Sequence, residues 1–230
     1  MGSIGNRLRI SAGSRLPTLF DGGPMATTID RLSGFRARRD DFFAQHENSP
    51  LTPEQRSDFH GLAYYAPNDA LRFELELDTS GDGIGEEITV GTADGGTKSY
   101  VRAGRIRFET EGQPVEFAVF KEPVRGRYFL PFRDGTAGTE TYAVGRYLDP
   151  RALPDGRLSV DFNFAYNPYC AYSEGWSCPI PPAENVTKAP IRAGERSMES
   201  GVGSRTRTRP WVDETAGAQR VGHEFRLDYS

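Results

Sequence analysis

Two hydrophobic periods divide the chain. From Asp30 to His46, Leu32, Phe35, Phe42 and Phe43 recur at roughly helical spacing, with Arg36, Arg38, Arg39 and Asp40 between them. That spacing predicts an amphipathic helix, ended by the Asn48-Ser49-Pro50 breaker. A second, shorter helix follows. Thr52 caps it, Pro53 takes its first position, Gln55 completes a Thr-x-x-Gln capping box, and Gly61 offers a stop. The period then changes to two. Leu71, Phe73, Leu75 and Leu77 alternate with Arg72, Glu74 and Glu76, as in a half-buried strand. Further strands are expected at 86–92, 98–109, 115–121, 127–132, 141–148 and 157–165. Turns rich in glycine separate several of them, among them Gly81-Asp82-Gly83, Asp94-Gly95-Gly96 and Asp155-Gly156.

About seven short strands without helix-length connections exclude βαβ units. The fold class is mainly β: an antiparallel β-barrel or bent sheet, two N-terminal helices before it, and a Pro-rich loop capping it on the C-terminal side. Residues 29–196 form the expected domain. Residues 1–28, rich in Gly, Ser and Arg, read as a disordered extension, with Met25 a candidate start. Residues 197–230 read as a disordered tail in which Arg205, Arg207 and Arg209 make a small basic run.

Composition narrows the function classes. The net charge of -4 gives no basic face for nucleic acid, and no apolar run approaches the ~20 residues that span a bilayer. Nearly all positive charge is arginine; the lysines are Lys98, Lys121 and Lys188. No secretory signal is evident, so the expected location is cytoplasmic. There, two cysteines are more often free thiols, ligands or catalytic groups than a permanent disulfide. P-loop, G-x-G-x-x-G, G-x-S-x-G and H-E-x-x-H motifs are all missing, and no cofactor is expected.

Three stretches carry candidate chemistry. Asp78, Ser80, Asp82 and Gly83 match the first half of an EF-hand loop, but Thr89 stands where its bidentate glutamate belongs, so a hairpin turn is the better reading. Leu130 to Leu148 places Arg133, Asp134, Thr136, Glu140, Thr141, Tyr142 and Arg146 between apolar strands. This is either an ion-paired hairpin or a site where a guanidinium fork binds a carboxylate or phosphate. The sequence NFAYNPYCAYSEGWSCPIPPAEN, from Asn163 to Asn185, holds both cysteines, Cys170 and Cys178. In strand 157–165, Leu158, Val160, Phe162 and Phe164 would face one way and Asp161 and Asn163 the other. No histidine lies in that loop, so a metal would need distant partners such as His60, Glu140 or Asp134, and no metal site is predicted. Inert thiols and a catalytic Cys170 activated by His60 or Arg133 both stay open.

The motifs FRARRDDFF, SPLTPEQRSDFHGLAYY, FLPFRDGTAGTETYAVGRYLD and DFNFAYNPYCAYSEGWSCPIPPAENVTKAPIRAGER occur in this order from Phe35 to Arg196. The chain resembles, in these motifs, the prokaryotic family named domain of unknown function 1684. The resemblance implies a mostly β domain with N-terminal helices and no assigned activity. It directs attention to Arg133, Asp134, Glu140, Tyr142, Asn163, Asn167, Tyr169, Cys170, Cys178 and Asn185. The leading expectation is a barrel that binds a small anionic or polar ligand between the 133–146 hairpin and the 163–185 loop. Arg133 would hold an anionic group, Asn163 and Asn167 would hydrogen-bond the ligand, Tyr169 and Trp176 would supply apolar wall, and Asp134, Tyr142 and Asn185 would complete the lining. The alternatives are an enzyme using Cys170 or Glu140, and a structural or partner-binding module.

Overall fold

The computed structural model describes residues 28–198, all within one compact unit. The expected extension and tail, Met25 and the basic run at 205–209 lie outside the described residues. Helix α1 spans Thr28–Gln45 and buries Leu32 and Phe43. Helix α2 spans Pro53–Ser57 and is opened by the predicted capping box: Gln55 N donates to Thr52 Oγ1 (3.2 Å) and Thr52 N to Gln55 Oε1 (2.8 Å). It stops before Gly61, at a turn on Asp58, and the chain then returns to α1, where Leu62 N donates to Asp40 Oδ1 (2.9 Å).

The remainder is mainly β, in two antiparallel sheets. Strands β1 (Arg72–Leu75), β2 (Glu87–Gly91), β3 (Thr97–Thr110), β4 (Gln113–Lys121), β5 (Tyr128–Phe132), β6 (Arg146–Leu148), β7 (Arg151–Ala152) and β8 (Leu158–Asp161) follow in chain order. One sheet runs β2-β3-β4-β5-β6, and the other runs β1-β8-β7. The larger sheet curls into a half-barrel. Its bend has a local cause. The β3–β4 register shifts between Arg102 and Gly104, and β1's extension passes so close there that a Cβ on Gly104 would sit 2.7 Å from the Asp78 carbonyl oxygen.

That bend divides the core. Ile106, Phe108, Val115, Phe117 and Val119 pack with Leu158, Val160 and Phe162 between the sheets. The opposite face of β4 places Ala118 and Phe120 against Val90 and Tyr100. Strand β4 is therefore buried on both faces. A third cluster joins Phe43, Leu51 and Leu62 to Phe42, Tyr169 and Tyr172, and seats both helices on the cysteine-bearing loop.

Four expectations change. Of the barrel and the bent sheet, the bent sheet holds, and eight strands replace about seven, because β7 adds a two-residue edge. The segment 78–86 is not a hairpin turn: β1 pairs with β8, so 78–86 links the two sheets. The Asp78 carboxylate there accepts from Ser80 N (2.9 Å) and Arg107 Nη1 (2.7 Å). Strand 141–148 shortens to β6, because the amides of Thr139, Glu140 and Thr141 all turn back on the Thr136 carbonyl. Strand 157–165 ends at Asp161, whose side chain accepts from Asn163 N (3.0 Å) and turns the chain into a short 3-10 helix, Phe162–Phe164, that buries Asn163 completely.

Candidate functional site

The two chemically dense segments do meet. Strands β5 and β6 pair Phe132 with Arg146 and Leu130 with Leu148, so the 133–145 loop stands at one end of the curled sheet. The proline-rich segment is laced alongside: Arg133 N donates to Asn185 O (3.0 Å), Thr187 N to Arg133 O (2.9 Å), Tyr147 pairs with Tyr166, and Ile180 N reaches Gly91 O on β2 (2.8 Å). Prolines suit this role, since a segment that borrows a sheet edge here and there needs few of its own amides.

Most of the predicted polar residues serve this lacing. The buried Asp134 carboxylate accepts from Arg146 Nη2 (3.2 Å), Thr136 Oγ1 (2.8 Å) and Ile191 N (2.7 Å). Arg146 is wholly buried and also donates to the carbonyls of Ile191 (2.7 Å), Ala193 (2.6 Å) and Glu195 (3.1 Å). Asn185 accepts from Ala118 N (2.8 Å) and donates to Ala118 O (2.8 Å) and Pro131 O (2.7 Å). Asn163 clamps the Asn68 backbone from both sides (2.8 and 2.9 Å). Asn167 donates from its backbone and its carboxamide to the fully buried Glu195 (3.1 and 3.2 Å), which pairs with Arg39 from α1 (2.8 Å). Each carboxamide stands in for a missing strand partner. Arg133 is exposed and donates through Nε to Ala143 O (2.9 Å). Glu140 is occupied by Arg192 Nε (3.0 Å) and the Tyr65 hydroxyl (3.1 Å). A shallow surface concavity lies away from all of these, lined by Glu76, Leu77, Asp78, Arg105 and Arg107, and Arg107 is already paired with Asp78.

The family model described as "Protein of unknown function (DUF1684)" matches residues 57–196. The chain belongs to the DUF1684 family. A solved relative, the solution NMR structure of an uncharacterized protein of Haloarcula marismortui, is 36% identical over 72% of this chain and 92% of that one, with a TM-score of 0.56. None of the curated proteins matches. No described helix is long and apolar enough to cross a membrane.

What remains in this DUF1684 chain is the thiol pair. Cys170 and Cys178 are both free, and Cys170 N donates to Cys178 Sγ (3.3 Å). The neighbouring Cys170 side chain is the main cause that lowers Cys178 to about 7; the Cys170 and Tyr169 amides and the charge of Lys98 add to it, against burial. The Cys178 side chain, with burial, pushes Cys170 far up. The two thiols thus perturb one another's titration, and Cys178 is the more acidic. Lys98 is fixed beside the pair, its Nζ donating to Ser177 O (2.6 Å), and burial lowers its own pKa. The Tyr142 hydroxyl donates to Cys170 O (3.4 Å), and burial raises its pKa. Tyr169 meets Trp176 edge-on at 4.9 Å, and Trp176 Nε1 donates to Ser173 Oγ (3.0 Å). Of the predicted site residues, Tyr142, Tyr169 and Trp176 therefore gather at the cysteines, whereas Asn163 lies with Asn68 and Asp161 at the start of β1.

Sequence reasoning missed Lys98, Arg39 and Glu195 as partners. Lys98 carried a faint signal, being one of three lysines in an arginine-rich chain. Glu195 gave none beyond its place in a matching motif. Among the described residues no three His, Cys, Asp or Glu side chains converge as a metal site.

Proposed function

We propose that this DUF1684 domain is a redox-active dithiol protein in which Cys170 and Cys178 cycle between two thiols and a disulfide, with a hydroperoxide as oxidant. The observation that supports this reading is that Cys170 N donates to Cys178 Sγ (3.3 Å), which brings the two free cysteines side by side. The Cys178 thiolate attacks one peroxide oxygen. The O–O bond breaks, the departing alkoxide takes a proton, and Cys178 becomes a sulfenic acid. The Cys170 sulfur gives up its proton and attacks that sulfur. The S–O bond breaks, water leaves and the disulfide closes. Two electrons pass from the dithiol to the peroxide. Lys98 favours the thiolate by its charge, and Tyr142 holds the Cys170 backbone.

The small-ligand reading gives the ligand contacts to Arg133, Asn163 and Asn167, whose side chains have partners within the fold. In the dithiol reading the reacting groups are the two free thiols themselves. Its test is titration of the reduced protein with hydrogen peroxide. Two thiols should vanish for each peroxide consumed, digestion should recover a Cys170–Cys178 crosslinked peptide, and dithiothreitol should restore both thiols. Thiols that persist, or a Cys178 sulfinic acid without crosslink, would sink the reading.

A further inference from the structure

The two cysteines are unequal in residue exposure as well as in charge. Cys178 is 7% exposed, whereas Cys170 is only half-buried. Cys178 is closed in by its neighbours' bonds: Ala93 N donates to Cys178 O (2.9 Å), the Tyr147 hydroxyl to Pro179 O (2.5 Å) and Lys98 to Ser177 O (2.6 Å). These three contacts pin its backbone to β3, β6 and the turn after β2 from both sides. Cys170 belongs to a short 3-10 turn, Tyr169–Ala171, with no buried residue.

We infer that the disulfide is reduced by attack of an external low-molecular-weight thiol on Cys170, with Cys178 as the departing sulfur. The inference rests on the dithiol reading and adds its partner and its direction. Thiol–disulfide exchange needs an approach along the S–S axis to the sulfur under attack, and it runs faster when the other sulfur leaves as a stabilised thiolate. Here access selects Cys170 for attack by a thiol, a bulkier reagent than the hydrogen peroxide that oxidises Cys178. Leaving ability selects Cys178, whose sulfur receives the Cys170 amide and the charge of Lys98. Both criteria name the same order. In the balanced sequence, the external thiolate bonds to Cys170 Sγ, the Cys170–Cys178 bond breaks, and Cys178 departs as thiolate. A second external thiol then displaces Cys170, leaving two protein thiols and one small-molecule disulfide. Because Cys170 lies between Tyr169 and Tyr172, which pack on Phe42 and Phe43, the approach suits a small thiol rather than a broad protein surface.

The test uses the full chain. The protein is oxidised with hydrogen peroxide, the crosslink is confirmed, and glutathione is added for a short time before an acid quench and alkylation. Peptide mapping should find glutathione on Cys170 and the alkyl group on Cys178. Glutathione on Cys178 overturns the inference while leaving the dithiol reading intact, whereas a missing crosslink before glutathione is added overturns both. If no adduct accumulates, rates of modification by glutathione disulfide decide. Cys178→Ser, which keeps the accessible sulfur, should react about tenfold faster than Cys170→Ser or more, since each variant has lost the thiol partner that perturbs its remaining sulfur. Equal or reversed rates overturn the inference.

Discussion

A pair of thiols illustrates what residues do here. Two cysteines in open water would each titrate in the ordinary thiol range. Placed near one another they perturb each other's titration, so Cys178 falls to about 7 while Cys170 rises. Alkylation of Cys178 by iodoacetamide should therefore climb through about pH 7 and level off before an ordinary thiol begins to react. Cys170→Ser should move that midpoint upward, because the largest cause of the shift is the Cys170 thiol. A midpoint unchanged by the substitution would show that Cys170 is not the cause. The sign for stability follows: a folded pKa below the unfolded one contributes stability above the unfolded value and loses it as pH falls through the folded one. The Cys178 contribution thus grows from about pH 7 towards the ordinary thiol range, above which the raised Cys170 opposes it.

Helix α1 is an element whose role the tertiary structure defines. Its hydrophobic face supplies Phe43 to the cluster around Tyr169 and Tyr172, and the same face sends Arg39 inward to Glu195. Glu195 is fully buried, and burial pushes its pKa up against the pull of Arg39 and the Asn167 amide. Arg39→Ala leaves that carboxylate without its cation. A loss of about 3–5 kcal/mol near neutral pH is expected, the scale for breaking a buried pair from one side. The loss should shrink as pH falls. A raised carboxyl pKa contributes stability below the unfolded value and loses it as pH rises through the folded value, so the variant recovers when Glu195 can be protonated. Urea melts at two pH values check this; equal losses at both would mean that Glu195 is not the group exposed by the substitution.

Across the whole molecule, stability is uneven. The two sheets share one core around Phe117, Phe132 and Phe162, which are fully buried, whereas α2 buries nothing. Amides of 115–120 in β4 should exchange only through global unfolding, and those of α2 through cheap local opening. Native-state hydrogen exchange read by peptide should separate the two by orders of magnitude; similar protection would mean that the helix is held by more than the capping box. The helices also rest on the cysteine loop, through Gln55 Nε2 to Tyr172 O (3.1 Å) and Ser173 Oγ to Pro50 O (2.5 Å). The cysteine pair and the helical layer are thus one neighbourhood.

The sequence by itself determined the mainly β class, both N-terminal helices and the capping box. These depend on contacts within a few residues, and alternation such as Leu71 to Leu77 or Thr52-x-x-Gln55 records them directly. The strands at 86–92, 98–109, 115–121 and 127–132 were legible to within a residue or two for the same reason. It also singled out 130–148 and 163–185 as stretches dense in polar and aromatic side chains. What it could not determine was which side chains build and which react. Asn163, Asn167 and Asn185 have the composition of a binding site, yet each satisfies backbone groups from segments far along the chain, such as Ala118 for Asn185. Only the tertiary structure decided that β1 pairs with β8 rather than β2, that Lys98 lies beside Cys178, and that the two cysteines touch. Those are long-range juxtapositions, set by how the sheet bends at Gly104 and how the proline-rich segment folds back over its edge, and no local pattern encodes them.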